Sequence, residues 1–397
     1  TQWGFTVGGP LIKDRLHFFV APEFTAENTP VTGPYASQPD NISPRFAFGT
    51  TAAGATTFMD TIARFDTAMA RIGTGFNLGS AAYTNIPNPL SNLFARVDFQ
   101  LNDVHRLVFH YNFSQGERLR QQNGRGTTTA VYTSNFHNFK MVKSAPVVQL
   151  FSNFKNGSFN EFFVGYNNWY HRRTPLALFP QITVNNVTSV NGNARIIVGA
   201  DQFSQGNELD TRSWEFTNNY TRPWKTHTLT VGTRNEHVWL RNLFTQSSYG
   251  VWSFRNLDSL SAGNPNTFRK AIILANGGNV EFSALQSAFY GQDQWQVNPN
   301  LAVTLGLRWD VSNFLDDIKY NAAIDSAYGR RTDDIPTTTV QFSPRLGFNW
   351  DVTGTLTDQI RGGIGLFVGT PPYVWLENAY INSGNIITFL NCTSTAT

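Results

Sequence analysis

Short runs in which apolar and polar residues alternate recur along this chain, and they come in pairs joined by tight turns. In the clearest run, residues 301–311, the odd positions are apolar and the even positions include Arg308 and Asp310. Successive side chains of a strand point to opposite faces, so one face of this strand is apolar and the other is charged. A soluble sandwich rarely buries two such charges, whereas a barrel in lipid turns its apolar side chains outward and its polar ones to the lumen. The run therefore predicts a strand of a transmembrane β-barrel.

The same alternation appears in four further runs: residues 16–24, 93–101, 106–114 and 342–351. A register slip of one residue moves the apolar side chains of a strand to its other face. Several runs whose alternation stays consistent across their turns therefore favour one sheet with a single apolar face. The segment 285–297 alternates poorly at Gln292 and Asp293, which indicates a bulge or an error of register. We predict an all-β protein, an antiparallel transmembrane β-barrel.

Tight turns and long segments alternate along the chain. The turns are rich in Asn, Asp, Gly, Lys or Pro, as turn geometry requires, and they lie at Lys13–Arg15, Asn102–Val104, Asn156–Ser158, Trp224–Thr226, Asn298–Asn300 and Thr353–Asp358. They predict about twelve strands, paired as 3–12 with 16–24, 91–101 with 105–116, 144–155 with 159–171, 210–222 with 227–244, 284–297 with 301–312, and 342–352 with 359–369. The long segments are 25–90, 117–143, 172–209, 245–283, 313–341 and 370 onward. Outer-membrane barrels keep their short turns on the periplasmic side, so we expect the long segments outside the cell.

The composition agrees with a barrel in the bacterial outer membrane. Only 14% of the 397 residues are charged, against about 25% in typical soluble domains, and the 14% of aromatic residues suits girdles at both membrane interfaces. The net charge of +3 is too small to indicate a nucleic-acid partner, and the single cysteine, Cys392, excludes a disulfide framework. No apolar stretch has the length of a transmembrane helix. Because Thr1 opens directly into strand sequence without a signal peptide, we expect an exported chain to begin upstream of it.

The first long segment has the pattern of an amphipathic helix over residues 57–72. One helical face collects apolar residues at steps of three and four: Phe58, Ile62, Phe65, Met69 and Ile72. Such a helix could cover the barrel mouth or touch a partner, but we favour simple packing on neighbouring loops. In another long segment, residues 249–254 predict either an arm of a short hairpin or an additional strand.

Enzyme and cofactor motifs are absent from the sequence. The seven histidines include no HExxH motif and no pair four residues apart, and one cysteine cannot build a zinc cluster. Gly362, Gly363, Gly365 and Gly369 lie inside an alternating run instead of between a strand and a helix, so we interpret them as strand glycines and not as a phosphate-binding loop. We expect no enzyme activity, no metal and no cofactor.

Several segments resemble barrel hairpins of TonB-dependent outer-membrane receptors, specifically the Oar-like group with a carboxypeptidase-regulatory-like N-terminal domain. The early hairpin reads WGFTVGGPLIKDRLHFFVAPEF, and later ones read LFARVDFQLNDVHRLVFHYNF, SAFYGQDQWQVNPNLAVTLGLRWD and FSPRLGFNWDVTGTLTDQIRGGIGLFVGT, in the order of that family. The resemblance covers most hairpins but not the loops. Its motifs identify the barrel and not the imported ligand.

The resemblance implies a barrel of about 22 strands around an N-terminal plug, of which this chain would be a partial barrel domain over residues 1–397. It would begin near the second strand and end in a loop, at NCTSTAT, without signal peptide, plug, TonB box or the later strands. The implied function is active uptake of an unknown ligand. The implied partners are outer-membrane lipid, the receptor's own plug and, through the plug, the TonB energy-transducing complex.

Charged residues at the predicted inward positions are the main site candidates. Both signs occur in near balance: Arg96, Asp98, Arg106, Glu161, Glu215, Arg234, Glu236, Arg308, Asp310, Arg345, Asp351 and Arg361. They could form a polar pathway or a wall that contacts cargo. We favour a second interpretation, in which they pair across strands and with the plug.

Weaker ligand candidates are assigned to the outer loops, in the stretches 169–173 and 239–241. They are the aromatic and arginine residues Trp169, Arg172, Trp239 and Arg241. Trp near strand ends belongs more often to an interfacial girdle.

Two other classes of protein compete with the receptor. A passive porin or an adhesin-like outer-membrane barrel would share the alternation, and a plug encoded upstream would distinguish the receptor from both. A soluble secreted propeller or sandwich is disfavoured, because no repeat of about 40–50 residues is present and the inner faces contain Arg and Asp. The sequence does not identify the ligand.

Overall fold

The computed structural model of the chain describes residues 1–31, 33–36, 52–72, 75–187, 194–335, 339–370 and 372–394. The strands of these residues, in chain order, are β1 (Gln2–Gly4), β2 (Val7–Ile12), β3 (Leu16–Thr25), β4 (Asn28–Pro30), β5 (Asn85–Pro87), β6 (Leu90–Gln100), β7 (His105–Gln121), β8 (Thr129–Val131), β9 (Phe136–Asn153), β10 (Phe159–Pro175), β11 (Gln181–Val184), β12 (Arg195–Val198), β13 (Asn207–Trp224), β14 (His227–Phe244), β15 (Val251–Phe254), β16 (Thr267–Ile273), β17 (Asn279–Asn298), β18 (Leu301–Phe314), β19 (Thr339–Asp351), β20 (Gln359–Gly365) and β21 (Ile387–Thr393). The α-helices are α1 (Ala52–Arg71), α2 (Leu257–Ser261), α3 (Ala322–Tyr328) and α4 (Tyr373–Ile381), and two 3₁₀ turns span Thr133–Asn135 and Asn276–Gly278. None of the described helices is long and apolar enough to cross a membrane.

A thirteen-stranded antiparallel sheet, the main sheet, pairs the two members of each predicted hairpin. β1 and β2 both pair with β3, one after the other along its length, and the order continues through β6, β7, β9, β10, β13, β14, β17, β18, β19 and β20. Short turns close one end of this sheet, which we call the turn end. Long segments leave the opposite end, which we call the loop end.

The registers give the main sheet two faces of different chemistry, because residues directly opposite in neighbouring strands share a face. One face, the apolar face, carries large apolar side chains in successive strands, among them Trp214, Phe289, Leu305, Phe342 and Ile364. Phe342 is 57% exposed to solvent and Ile364 is 77% exposed. A soluble sheet avoids such a surface, whereas contact with lipid requires it. The other face, the polar face, carries the alternate residues.

The main-sheet strands extend further toward the loop end than the alternation predicts. β7 continues to Gln121, β9 begins at Phe136 and β17 begins at Asn279. The predicted limits are wrong there because backbone pairing continues after the apolar alternation stops, as between Glu117 and Lys140. β20 is shorter than predicted and ends at residue 365.

The irregularity predicted at Gln292 and Asp293 is not in the backbone. Both residues pair with β18 in an unbroken register, and the register shift lies instead between Gln296 and Asn298. Asp293 stands on the apolar face, with its carboxylate 2.7 Å from Nδ1 of His227. The carboxylate therefore interrupts the apolar pattern without shifting the strand, because the neighbouring strand supplies its partner.

The main sheet is open. In the part of the chain that the structure describes, no ladder joins β1 or β2 to β20. An edge strand leaves a row of backbone N–H and C=O groups without partners, and each such group costs several kcal/mol in hydrocarbon. Both edges therefore need a pairing partner wherever this sheet lies in a membrane.

Parts of the long segments fold into a second sheet at the loop end. Its six strands lie in the order β21, β16, β15, β11, β12 and β8, with parallel pairing between β11 and β15 and between β12 and β8. Together with α1 and α2 it encloses a hydrophobic core that includes Phe65, Met69, Ile196 and Leu260. We call this unit the cap. Apart from residues 249–254, the strands of the cap were not predicted, because strands this short that pair across tens of residues leave no local pattern.

The predicted helix of the first long segment is confirmed as α1. Its side chains Phe65 and Met69 are buried, and the ring centroid of Phe65 lies 5.5 Å from that of Tyr132. The hydroxyl of Tyr132 donates to Asp66 at 2.8 Å. α1 thus packs on neighbouring segments of the cap, the arrangement favoured from the sequence. The additional strand predicted within 249–254 is β15, which is also one arm of a hairpin with β16.

α4 lies against the polar face of the main sheet near the loop end. The ring of Tyr373 packs on Phe282, with centroids 5.7 Å apart, and Asn242 donates to the side chain of Asn378 at 2.9 Å. Glu377, on the same buried side of the helix, is fully buried, and its carboxylate oxygens have no hydrogen-bond partner among the described residues. Burial raises the pKa of Glu377 to about 8. Burial therefore favours the protonated, uncharged form of this carboxyl group.

Candidate functional site

The registers place all twelve candidate charges on the polar face of the main sheet. They are Arg96 and Asp98 in β6, Arg106 in β7, Glu161 in β10, Glu215 in β13, Arg234 and Glu236 in β14, Arg308 and Asp310 in β18, Arg345 and Asp351 in β19, and Arg361 in β20. Period-two alternation is what brings residues so distant in sequence to one surface. This surface is the first candidate for a functional role.

Eight of the twelve charges form three ion-pair clusters. In the first cluster, Arg96 donates to both oxygens of Asp98 at 2.6 and 2.8 Å, and Arg106 approaches the same carboxylate to 3.7 Å. In the third cluster, Arg308 donates to Asp310 at 2.9 Å. Two parallel N–H···O bonds hold a guanidinium and a carboxylate in one relative orientation, so the paired side chains are fixed on the wall.

The second cluster separates two like charges. Glu215 and Glu236 are directly opposite each other in β13 and β14. Arg234 donates to both oxygens of Glu215 at 2.9 and 2.8 Å and to Glu236 at 2.9 Å. Opposed carboxylates repel each other, and the guanidinium that bonds both of them offsets this repulsion. Over the three clusters, four arginines meet four carboxylates, and the charges balance.

The other four candidates have different surroundings. Glu161 accepts a hydrogen bond at 3.1 Å from the side chain of a glutamine in β9, and the guanidinium of Arg345 lies 4.6 Å from the ring centroid of Phe367. Asp351 accepts hydrogen bonds from two backbone N–H groups of the following turn at 3.0 and 2.9 Å. Asp351 therefore stabilises the turn. Arg361 stands in β20, the edge strand.

The four aromatic and arginine candidates of the loop end lie in strands, so their assignment to outer loops was wrong. Trp169 and Arg172 belong to β10, and Trp239 and Arg241 belong to β14. Of the four, only Arg172 lies beyond the predicted strand limits of 159–171 and 227–244. Only Trp169 stands on the polar face, and the other three stand on the opposite face.

A charged band crosses that opposite face at the loop end. Arg172 lies 3.7 Å from Glu208, and Arg241 lies 3.0 Å from Asp210 and 3.7 Å from Glu281. These pairs are partly exposed and contribute little to stability individually. These pairs lie closer to the loop end than the apolar residues of the same strands. A barrel wall has this arrangement where it leaves the apolar part of a membrane.

Sequence reasoning missed a group of side chains on the polar face at the loop end. This group, the loop-end patch, comprises Arg118 and Arg120 of β7, Phe139 and Lys143 of β9, and Trp169, His171 and Arg173 of β10. Arg118 and Arg173 are the cross-strand neighbours of Phe139 on either side. The available signal was the alternation of Arg118 and Arg120 just beyond the predicted end of their strand.

A buried polar network links the cap to the top of β9. The hydroxyl of Ser204 donates to Asp201 at 2.7 Å and lies 3.1 Å from Nδ1 of His137. Asn123 also donates to Asp201, at 3.2 Å, and burial raises the pKa of Asp201. In a nucleophilic triad the histidine lies between serine and carboxylate. Here the serine occupies the middle, so the network joins segments of the chain and is not arranged for nucleophilic attack.

A second buried contact fixes the cap through one cation. Arg125 is 6% exposed and donates to the carbonyl oxygens of Val131 and Ala82, both at 2.9 Å. Burial lowers the pKa of Arg125 to about 10. Within the described ranges, no group of three or more His, Cys, Asp or Glu side chains is placed to hold a metal ion.

Comparison with known proteins identifies the architecture. The model of a protein family described as outer membrane beta barrel domain matches residues 1–397. The chain is structurally similar to the outer membrane transporter YddB from Escherichia coli, with a TM-score of 0.54, 11% identity, and coverage of 93% of this chain and 38% of that one. It is also similar to a mutant of the ferric enterobactin receptor PfeA from Pseudomonas aeruginosa, with a TM-score of 0.52, 12% identity, and coverage of 96% and 42%. No curated protein matches the sequence. The chain thus spans about two fifths of the length of these two structures, and at such identities the likeness concerns the fold.

Proposed function

Because this chain belongs to the outer membrane beta barrel domain family, and so to the bacterial outer membrane, we propose that it forms barrel wall of a TonB-dependent receptor of the Oar-like group. Such a receptor binds a ligand at the cell surface and imports it actively. The observation that carries the proposal is the polar face: three ion-pair clusters with balanced charge on the wall opposite the apolar residues. The hairpin motifs and the fold shared with an outer membrane transporter support it.

The ion-pair clusters suit a wall that faces a folded domain. Ionised side chains beside a protein surface stay ionised at low cost only when they are paired and hydrogen-bonded. The pairing of Arg96, Arg234 and Arg308 within the wall meets that condition. We therefore propose that the plug rests against this surface. An open water-filled pore has less need of such bidentate pairing, because water solvates its charges.

The loop end is the proposed cell-surface side. Short turns face the periplasm in barrels of this kind, and the cap at the loop end supplies a folded surface for contact with a ligand. The proposed partners are outer-membrane lipid on the apolar face, the plug on the polar face, the TonB complex through the plug, and an imported ligand. The proposed role is transport without enzyme activity.

Cross-linking in cells tests the proposal. Cells that produce the gene product with an affinity tag are treated with formaldehyde, and the isolated product is probed for the TonB protein with an antibody. We expect a cross-linked band that disappears in a strain without TonB. The matched reference is a porin with the same tag in the same strain. A gene product that cross-links to TonB no more than the porin does would favour a passive barrel. The gene sequence upstream of this chain gives an independent answer, because it shows whether a plug domain is encoded there.

A further inference from the structure

The loop-end patch contains cations without carboxylates. The polar face of β7, β9 and β10 carries four cationic side chains at this level: Arg118, Arg120, Lys143 and Arg173. The register neighbours of the patch in β13 are Asn207, Leu209 and Thr211, which are uncharged. The patch therefore carries an excess of positive charge, unlike the three clusters nearer the turn end.

None of these four cations forms an ion pair in the part of the chain that the structure describes. Arg173 donates to Gln122 at 3.3 Å, and Arg120 lies 4.5 Å from the ring centroid of Phe139. Nε of Arg118 is buried and has no hydrogen-bond partner. A buried donor without an acceptor costs free energy, so an acceptor supplied from outside is stabilised there.

The excess charge is not a consequence of a local shortage of acids. The same strands and β13 carry Glu117, Glu208 and Asp210 at this level, but the register turns all three to the opposite face. There they stand among other cations, such as Arg172 and Arg241. At this level the opposite face thus carries carboxylates together with cations, whereas the loop-end patch carries cations alone.

Aromatic rings lie between the cations. The ring of His171 meets that of Phe139 edge to face, with centroids 5.4 Å apart, and lies 5.2 Å from Trp169. Arg118 and Arg173 flank Phe139 in the adjacent strands, so they stand about 10 Å apart across two strand spacings. Rings provide stacking surface for a flat or cyclic group, and guanidinium groups bind carboxylate, sulfate or phosphate through two hydrogen bonds.

We propose that the loop-end patch is the first binding site for the imported ligand, and that this ligand carries two or more carboxylate, sulfate or phosphate groups around a ring. The inference rests on the proposed function, because it names the class of ligand for the receptor. Arg118 and Arg173 bind the anionic groups, Phe139 and Trp169 contact the ring, and Lys143 adds long-range attraction. Four like charges on one wall also raise the local concentration of anions at the mouth.

Equilibrium binding of benzene-1,3,5-tricarboxylate tests the site. Radiolabelled probe is added to outer-membrane vesicles from cells that produce the gene product, and vesicles from cells without the gene give the background. The neutral analogue benzene-1,3,5-tricarboxamide has the same ring without the charges. The variants are Arg118→Gln, Arg173→Gln and Lys143→Gln. Lys140→Gln and Arg172→Gln are matched controls, because each changes the same residue type in the same strand on the opposite face.

We expect saturable binding of the tricarboxylate that weakens at least about tenfold in each arginine variant, since a hydrogen bond to a charged group contributes at least that factor. Lys143→Gln weakens it less, both controls stay within about twofold, and 0.5 M salt weakens it strongly. Unheated gel migration verifies that each variant is folded. Equal binding of the tricarboxamide, equal loss in Lys140→Gln and Lys143→Gln, or no saturable binding at millimolar probe overturns the inference.

The vesicles are not energised, so this assay is independent of TonB. Absence of anion binding together with TonB cross-linking refutes the ligand class and leaves the receptor in place. Anion binding without TonB cross-linking refutes active uptake and leaves the anion site in place.

Discussion

Arginine substitutions along β18 provide a graded test of the two faces of the main sheet. Leu307 lies in the middle of this strand, on the apolar face, with Gly291 and Pro344 as its cross-strand neighbours. An arginine at the bilayer midplane on the lipid side of a barrel costs about 2–4 kcal/mol. Thr304 lies on the polar face, where water and neighbouring polar groups solvate an arginine. We expect a cost of about 2–4 kcal/mol for Leu307→Arg and below about 1 kcal/mol for Thr304→Arg.

Leu305→Arg is expected to fall between these two variants. Leu305 is also on the apolar face, but the residue directly opposite it in β17 is Asp293, whose Oδ1 has no hydrogen-bond partner among the described residues. An arginine at 305 reaches that carboxylate, and a charge-assisted hydrogen bond recovers about 1.5–3 kcal/mol. The expected order of cost is therefore Leu307→Arg, then Leu305→Arg, then Thr304→Arg.

The measurement is urea-induced unfolding of the gene product from lipid vesicles, followed by tryptophan fluorescence. A double-mutant cycle of Leu305→Arg with Asp293→Asn isolates the pair, and its coupling energy should be favourable by at least about 1 kcal/mol. Equal costs at 304 and 307 refute the assignment of faces. Equal costs at 305 and 307 with no coupling to Asp293 refute only the placement of that carboxylate.

Three further predictions concern the wall, the orientation and α4. Arg234→Gln leaves the opposed Glu215 and Glu236 uncompensated and should destabilise the folded barrel by about 1–2 kcal/mol in the same urea assay, and adding Glu236→Gln should restore most of the loss. An epitope tag inserted after Gly263 in the cap should bind antibody on intact cells, and a tag at Gly157 in the turn between β9 and β10 should not. Antibody labelling of the tag at Gly157 would contradict the proposed orientation. Burial raises the pKa of Glu377 from 4.5 to about 8, so between these pH values Glu377 keeps a proton when α4 is packed on the main sheet and loses it when α4 detaches. The free energy that favours the packed form therefore falls by about 1.4 kcal/mol per pH unit over this range and is constant above pH 8. Glu377→Gln should remove this slope in amide hydrogen exchange of α4, whereas Glu281→Gln, an exposed control, should retain it.

The two faces of the main sheet were predictable from the sequence because they depend on a local rule. Alternation with period two assigns each side chain to a face, and tight turns fix which strands pair. The charges from Arg96 to Arg361 could therefore be placed on one face without a structure. The error at Asp293 shows where the rule ends: alternation assumes that every residue on the apolar face is apolar, and a carboxylate paired with His227 violates that assumption without moving the backbone.

The cap and the loop-end patch were not predictable because they depend on contacts distant in sequence. β8 and β12 are three and four residues long and pair in parallel across a long separation. Nothing in three residues specifies such a partner, and the burial of Ile196 and Leu260 arises only when several segments meet. The loop-end limits of β7 and β10 were not predicted for a related reason. The alternation continues there in polar residues, so a search for apolar periodicity stops too early.

The distribution of charge along the polar face gives the proposed transport pathway a direction. In the three clusters every arginine has a carboxylate partner, so an anion that reaches them must compete with a bidentate ion pair already in place. At the loop-end patch, no carboxylate of the described residues forms such an ion pair with Arg118 or Arg173. An anion is therefore held at the proposed cell-surface end and meets a wall of balanced charge beyond it. The pairing of Arg234 and Arg308 within that wall therefore matters for release of the ligand, as the lack of an ion-pair partner at Arg118 matters for its capture.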